Sequence, residues 1–396
     1  MMRTISQIAA VTAMNLRSLP QRPWTSLSTV VAVALVTGVL LAFLAMANGF
    51  RATVKGTGST DVAVFLRKGS DSELNSVISR DQALIVREAP GIAKDADGTP
   101  LISPELYSVV DGIKKSSGTK ANLPLRGLGT EALKVRRGIK ISAGRMFRPG
   151  TNELVAGRAV SRQFRGFELG RTVRLASQNW VVVGEFEAGG SVFESEIWAD
   201  VSLLQSLYQR GSSVQTIRAR LETPASLQKL IDYAEADPRL KLDVKSESAF
   251  YARQSQGIGD LILYLGWPLA IAMSFGALAG ALNTMYASVD ARTREIATMR
   301  AIGFGSLPAF IGTMTESLLL SAVGGVVGAL GTYLLFDGIS AATLGSNFTQ
   351  VVFSLKLSPQ LVVQGVFLAL IIGLAGGFFP ALRAARIPLL AAFRDP

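Results

Sequence analysis

The chain contains no cysteine and no histidine. The first absence removes disulfides and thiolate chemistry. The second removes the usual general base near neutral pH and the commonest zinc ligand. Charge is scarce too: Asp, Glu, Lys and Arg make up 17% of 396 residues, against roughly a quarter in an ordinary soluble domain. The P-loop pattern G-x-x-x-x-G-K-[ST] is missing, and no paired-carboxylate pattern is evident. These residues therefore encode no nucleotide-hydrolysing site of their own, and an enzymatic role has little to stand on. No cofactor or metal is expected to be bound directly.

What fills the space is apolar. Hydrophobic residues reach 49%, and the mean hydropathy is +0.35. Four long stretches are almost free of charge: 24–50 between Arg22 and Arg51, 261–289 between Asp260 and Asp290, one between Arg300 and Asp337 interrupted only by Glu316, and one between Lys356 and Arg383. About 20 helical residues cross the hydrocarbon of a bilayer, so each is long enough to span it. The first is too long for the core of a cleaved signal peptide. It is preceded by a segment in which Ile5, Ile8, Ala9, Thr12, Leu16 and Leu19 recur at helical spacing, read as an amphipathic helix on the cytoplasmic membrane face.

Orientation follows from the short flanks. Arg3, Arg17 and Arg22 precede the first stretch; Arg292, Arg294 and Arg300 separate the second from the third; Arg383, Arg386 and Arg394 follow the fourth. With four spans all three groups lie on one side, which the positive-inside rule makes the cytoplasm. Much of the net charge of +11 is accounted for in this way, which weakens a nucleic-acid reading. The long insertion after the first span then faces outward.

That insertion, 51–255, reads as a folded α+β domain, in one or two lobes. Strand-like runs are expected at 62–66, 172–176, 180–186, 196–200 and 216–221, and helices at 72–88, about 153–165, 202–209 and 225–236. The stretch 91–118 reads as loops around a short strand. Lys134, Arg136, Arg137, Lys140, Arg145 and Arg148 form a basic run, read first as a solvated face, with an acidic partner or lipid headgroups as the alternative.

The segment 283–304, NTMYASVDARTREIATMRAIGF, carries most of the functional argument. Ile296, Met299, Arg300 and Ile302 alternate with small and charged residues, as in a short helix along the membrane surface, and Gly303 and Gly305 can break it before the third span. Arg294, Glu295 and Arg300 would present charge to the cytoplasm. A plain charged loop is the simpler reading of the same residues.

With Asn283, Val289, Arg292, Glu295, Ile296, Arg300, Ala301, Ile302 and Gly303 in place, the segment closely resembles the signature loop of the FtsX-like permease family, which includes MacB-type exporters and the lipoprotein-releasing LolC and LolE subunits. The ending FFPALRAARIPLLAAFR, with Pro380, Ala384, Ala385 and Pro388, is similar to that family's ending, and 144–164 with the run WVVVGEF resembles its MacB-type periplasmic domain. The resemblance implies an α-helical membrane protein with four spans and a large MacB-like α+β domain between the first two. It implies dimers of identical or related permeases and an ABC ATPase partner that supplies ATP and magnesium chemistry. Membrane lipids and a periplasmic adaptor or lipoprotein are further partners. The lack of a fused ATPase points to a separate permease subunit.

The expected map is a cytoplasmic helix at 1–22, spans at 23–50, 258–286, 306–336 and 357–381, the periplasmic domain at 51–255, a coupling loop at 287–304, a short periplasmic loop at 337–356 and a tail at 382–396. Arg292, Arg294, Glu295, Ile296, Met299, Arg300 and Gly303 are the expected coupling residues. Glu316 should face the bundle interior near a polar partner, in a structural or conformational role rather than a substrate or proton role. Gly276/Gly280, Gly324/Gly328 and Gly373/Gly377 repeat at four-residue spacing and suit close helix contact in lipid. Transport of a lipidic or amphipathic substrate or lipoprotein is the first function, driven by mechanotransmission from the ATPase. Activation of a periplasmic cell-wall hydrolase is the alternative.

Overall fold

A computed structural model describes residues 2–344 and 350–387. The part of the expected tail at 388–396, with Pro388 and Arg394, lies outside the described residues, as does 345–349 of the expected loop at 337–356. The chain divides into two compact units, one of residues 1–48, 261–339 and 355–396, the other of residues 49–260 and 340–354.

The first unit is helical. An N-terminal helix α1 (Met2–Ser18) leads through a short turn to α2 (Pro23–Lys55). Pro23 suits the first helical position, where the missing N–H costs nothing. The second long helix, here α8 because five lie in the other unit, runs without interruption from Glu247 to Ala291. It is followed by α9 (Thr293–Ala301), α10 (Ser306–Phe336) and α11 (Pro359–Ala385). Four of these contain stretches long and apolar enough to cross a membrane: Pro23–Val54, Leu263–Ala291, Ser306–Phe336 and Pro359–Ala385. The helix expected at 258–286 thus extends further at both ends, and the first residues of the expected coupling loop continue α8.

Small residues set the helix crossings. A Cβ on Gly324 would meet the Val30 carbonyl and Val33, and one on Gly328 would overlap the Ala34 backbone, so α10 lies against α2 at these positions. Gly373 and Gly377 lie against Ser321 and Ser317, and Ser317 donates a 2.7 Å hydrogen bond to the Gly373 carbonyl, joining α10 to α11. Nothing stands within 4 Å of a Cβ built on Gly276 or Gly280. Gly328→Ala is therefore expected to lower stability by about 1–3 kcal/mol through forced backbone movement, whereas Gly280→Ala leaves the monomer's stability unchanged or slightly raised. Thermal half-points of the detergent-solubilised variants check this, and equal effects would contradict it.

The second unit is an α+β domain around a ten-stranded sheet. Its strands are β1 (Val62–Arg67), β2 (Ile102–Ile113), β3 (Lys120–Leu128), β4 (Lys140–Gly144), β5 (Glu153–Gly157), β6 (Thr172–Leu175), β7 (Gln178–Glu187), β8 (Ile197–Asp200), β9 (Thr216–Arg220) and β10 (Leu242–Ser246). They follow the order β10-β1-β9-β2-β3-β8-β5-β7-β4, with β6 beside β7. Helices α3 (Arg80–Arg87) and α7 (Ser226–Ala236) contribute to one core with Phe65, Ile78 and Ile217; α5 (Arg158–Gln163) and α6 (Val201–Leu207) contribute to another with Leu125, Trp180 and Ile197. The short α4 (Ala132–Val135) lies between β3 and β4 in sequence. Two cores on one sheet make two lobes. The strand β2 serves both, because its first residues pair with β9 and the remainder with β3.

The hairpin of β11 (Ser340–Leu344) and β12 (Gln350–Ser354), which connects α10 to α11, packs with this unit. Phe353 meets Phe50 edge to face, and the Val352 N–H donates to Ser195 Oγ at 3.0 Å.

Three local expectations are corrected. The segment 72–88 is not one helix. A single 3-10 turn lies at Glu73–Asn75, and the α-helix begins only at Arg80, where Ser79 and Gln82 cap each other reciprocally. The run ELVAG at 153–157 is the strand β5, nearly all buried between β7 and β8, and helix begins only at Arg158. The stretch 91–118 holds β2, twelve residues long, which Pro104, Glu105 and Asp111 disguise as loop.

Glu105 is tolerated because it is buried among arginines. Arg126 on β3 bonds Glu73 through both terminal nitrogens at 2.8 and 2.9 Å, and Glu196 at 2.9 and 2.7 Å. It reaches Glu105 at 3.0 Å. Arg218 on β9 bonds Glu105 and lies 2.8 Å from Glu247, at the start of α8, and 3.1 Å from the Tyr251 hydroxyl. Arg136 completes the set, 2.6 Å from Glu105 and stacked over Phe193. Burial pushes the Glu73 carboxyl up, but the three arginines outweigh it and hold the group at about 2. Glu105 is lowered by the same balance. The basic run at 134–148 is therefore not a plain solvated face: Arg136 is buried in this cluster, Lys134 pairs with Asp95 and Glu131, and Arg145 pairs with Glu153.

Candidate coupling site

The helix α9 follows α8 after a single residue, Arg292, and Gly303, with φ of +101°, helps to reverse the chain before α10. That φ lies in the left-handed region where a side chain would be strained. α9 is two-faced. Ile296, Ala297 and Met299 pack with Val289, Ala309, Ala384 and Ile387 from α8, α10, α11 and the residues after it. Arg294, Glu295 and Thr298 are exposed, and Ile302, just past the helix, is 74% exposed. A large apolar side chain so open at a charged turn is a candidate anchor for another protein.

Arg292 points the other way. Only 3% exposed, its guanidinium lies 3.4 Å from Glu316 and 3.2 Å from Glu295 and also donates to the Asn15 side chain. Glu316, buried on α10, accepts a 3.2 Å hydrogen bond from Ser288, and the Ser288 carbonyl accepts one of 3.0 Å from Arg22. An isolated carboxylate at that depth would be costly, and here a cation and a hydroxyl offset the burial. Arg300 donates 2.6 Å to the Ile387 carbonyl, and the Gly303 carbonyl accepts from Gln7.

Among the expected coupling residues the structure thus joins Arg292, Glu295 and the intramembrane Glu316 directly. It places Ile296 and Met299 in an apolar cluster and Arg300 at that cluster's edge, and it leaves Arg294 and Glu295 on the open face. Sequence reasoning missed Asn15 and Ser288, and it named Arg22 and Ile302 without placing them among the coupling residues. Asn15 lay outside the expected apolar stripe: among the described side chains of α1 the most buried are Val11 and Asn15, while Ile5 is 63% exposed. The inward stripe is rotated from the expected one because α1 packs along the beginning of α10, where Val11 and Asn15 lie over Gly312. Among the described residues no cluster of Asp and Glu side chains could hold a metal ion.

Four membrane-spanning helices, a large mixed domain inserted after the first, and a two-faced helix between the second and third define a multi-pass permease of the inner membrane with a periplasmic domain. The family profile of the MacB-like periplasmic core domain matches residues 26–237, and that of the FtsX-like permease C-terminal region matches residues 268–389. The chain belongs to this family of FtsX-like ABC transporter permeases with a MacB-like periplasmic core.

It is 25% identical over 416 residues to the macrolide export ATP-binding/permease protein MacB of Neisseria meningitidis serogroup A, covering 98% of this chain and 60% of that protein. It is 30% identical over 167 residues to the pyoverdine export ATP-binding/permease protein PvdT of Pseudomonas entomophila, covering 42% and 24% of the two chains. A solved structure of the periplasmic region of MacB from Actinobacillus actinomycetemcomitans aligns with a TM-score of 0.37 and 14% identity over 50% of this chain and 92% of that one. The chain spans about 60% of the length of the MacB relative from Neisseria meningitidis.

Proposed function

We propose that this chain moves a lipidic or amphipathic substrate, or a lipoprotein, by relaying ATP-driven motion of a partner ATPase to its periplasmic domain. The two faces of α9 carry the reading. One is anchored in the helical bundle by Ile296, Met299 and the Arg292–Glu316 pair; the other presents Arg294, Glu295 and Ile302 for docking. A helix held on one side and open on the other moves as a body when pushed. Relatives described as ATP-binding/permease proteins support a nucleotide-hydrolysing companion. The working assembly is a dimer of this permease or of related permeases.

In this mechanism ATPase closure displaces α9, and α8 carries the displacement as one helix of 45 residues. Arg218 receives it at Glu247, where α8 begins. Ile302→Asp is expected to reduce substrate-stimulated ATP hydrolysis by the reconstituted complex about tenfold or more, the scale of an interface anchor. The chain should remain folded, because Ile302 is exposed. Unchanged stimulation in Ile302→Asp combined with Glu295→Lys would refute the docking role.

A further inference from the structure

A cleft of about 520 Å³ opens in the periplasmic domain, between one face of α3 and the beginning of β2 with α6. Its volume is in the range of small-ligand sites, roughly 300–1,000 Å³. The α3 wall is built from Arg80, Ala83, Leu84 and Arg87, the i, i+3, i+4, i+7 positions of one helical face. Leu84 is 52% exposed although it lines a concavity. The two arginine side chains are exposed, and neither has a hydrogen-bond or ion-pair partner among the described residues. At a rise of about 1.5 Å per residue they stand roughly 10 Å apart along the axis.

Arg80 also sits in the first turn of α3, where a cation opposes the helix dipole. The facing wall supplies apolar Ile102 and Val201. The one acid lining the cleft, Glu131, is paired with Lys134 at 2.9 Å. The cleft therefore offers an apolar middle between two cations, with no free anion to balance them.

We propose that this cleft binds an anionic amphiphile, a molecule with an apolar body about 10 Å long that lies on Ala83, Leu84, Ile102 and Val201 and an acidic group held by Arg80 or Arg87. Its floor connects to the core: Ser103, 1% exposed, donates 3.1 Å to Glu105, the carboxylate shared by Arg126, Arg136 and Arg218. A ligand pressing on Ser103 thus acts one hydrogen bond from the cluster that grips the start of α8. That consequence for transport rests on the permease reading above; the binding chemistry does not.

The test uses the full chain in nanodiscs of neutral phosphatidylcholine. Leu84→Cys introduces the sole thiol into a chain without cysteine, and its alkylation by a neutral polyethylene-glycol maleimide is timed with added decanoate, decanol or decyltrimethylammonium. Saturable protection by decanoate alone is expected. Adding Arg80→Gln and Arg87→Gln should weaken that protection roughly tenfold or more, the scale of charge-assisted hydrogen bonds, measured against each variant's own unprotected rate. Protection by decanol equal to that by decanoate would overturn the proposal, since decanol enters the bilayer at least as readily. Protection that survives both arginine substitutions would overturn it too. No ATPase takes part, so this result and the coupling test fail independently.

Discussion

Arg126→Met is expected to destabilise the periplasmic domain by about 3–5 kcal/mol at neutral pH, the cost of leaving buried charge uncompensated, and to blunt the domain's loss of stability in acid. Arg126 is fully buried and bonds three glutamates, and among the described residues it is the one cation on Glu196, which also accepts from Trp198 at 2.9 Å. In the native protein Glu73 is held at about 2, below its ordinary value of 4.5. A depressed carboxylate contributes stability that is fully present above the unfolded value and is lost as the pH falls through the folded one. The native cluster therefore weakens progressively as the pH falls from about 4.5 to about 2.

Without Arg126, Glu73 loses the largest charge opposing its burial, and its folded value moves up from about 2 towards the ordinary one. The folded and unfolded states then differ less in bound protons, and less stability is lost as the pH falls. Apparent guanidinium midpoints, followed by the fluorescence of the buried Trp180 and Trp198, read this out at neutral and mildly acidic pH. Adding Glu196→Gln should recover much of the loss at neutral pH. A variant that tracks the native midpoint at both pH values would show that the cluster is not the keystone of the domain.

The second large effect is expected in the helical unit. Arg292→Ala leaves Glu316 without its cation and Asn15 without its donor, and should cost about 3–5 kcal/mol. Glu316→Gln should cost less, because the amide still accepts from Ser288 and Arg292 keeps Asn15 and Glu295. The double variant Arg292→Ala with Glu316→Gln should be more stable than Arg292→Ala alone, giving a coupling energy of about 1–3 kcal/mol between the two sites. Thermal half-points from size-exclusion traces of the solubilised chain measure all corners of the cycle. Strict additivity would mean that the pair does not bind α9 to α10, and the lever described for ATPase coupling would lose its fulcrum.

Both predictions concern residues whose importance is set by partners distant in sequence. The strand β2 illustrates the difficulty. Read locally, Pro104 and Glu105 interrupt an apolar run and suggest loop; in the fold, Glu105 faces arginines supplied by β3, β9 and the segment after α4. The coupling segment shows the same division. Its spacing of Arg292, Glu295, Ile296 and Arg300 was legible as a family signature, and its helix lies where that spacing suggests. That Arg292 turns inward depends on Glu316 and Asn15, the latter 277 residues away.

The amino-acid sequence by itself determined the four spans, their orientation, the inserted α+β domain and the short helix between the middle spans. Each of these depends on hydropathy, charge or periodicity within a single continuous segment, which local physics can read. Only the tertiary structure decided that α1 packs along α10, that the hairpin between the last two spans belongs with the α+β unit, and that a basic run contributes to a buried ion cluster. A buried charge is stable only beside its counter-charge, and here the counter-charges come from strands and helices that only the completed fold brings together.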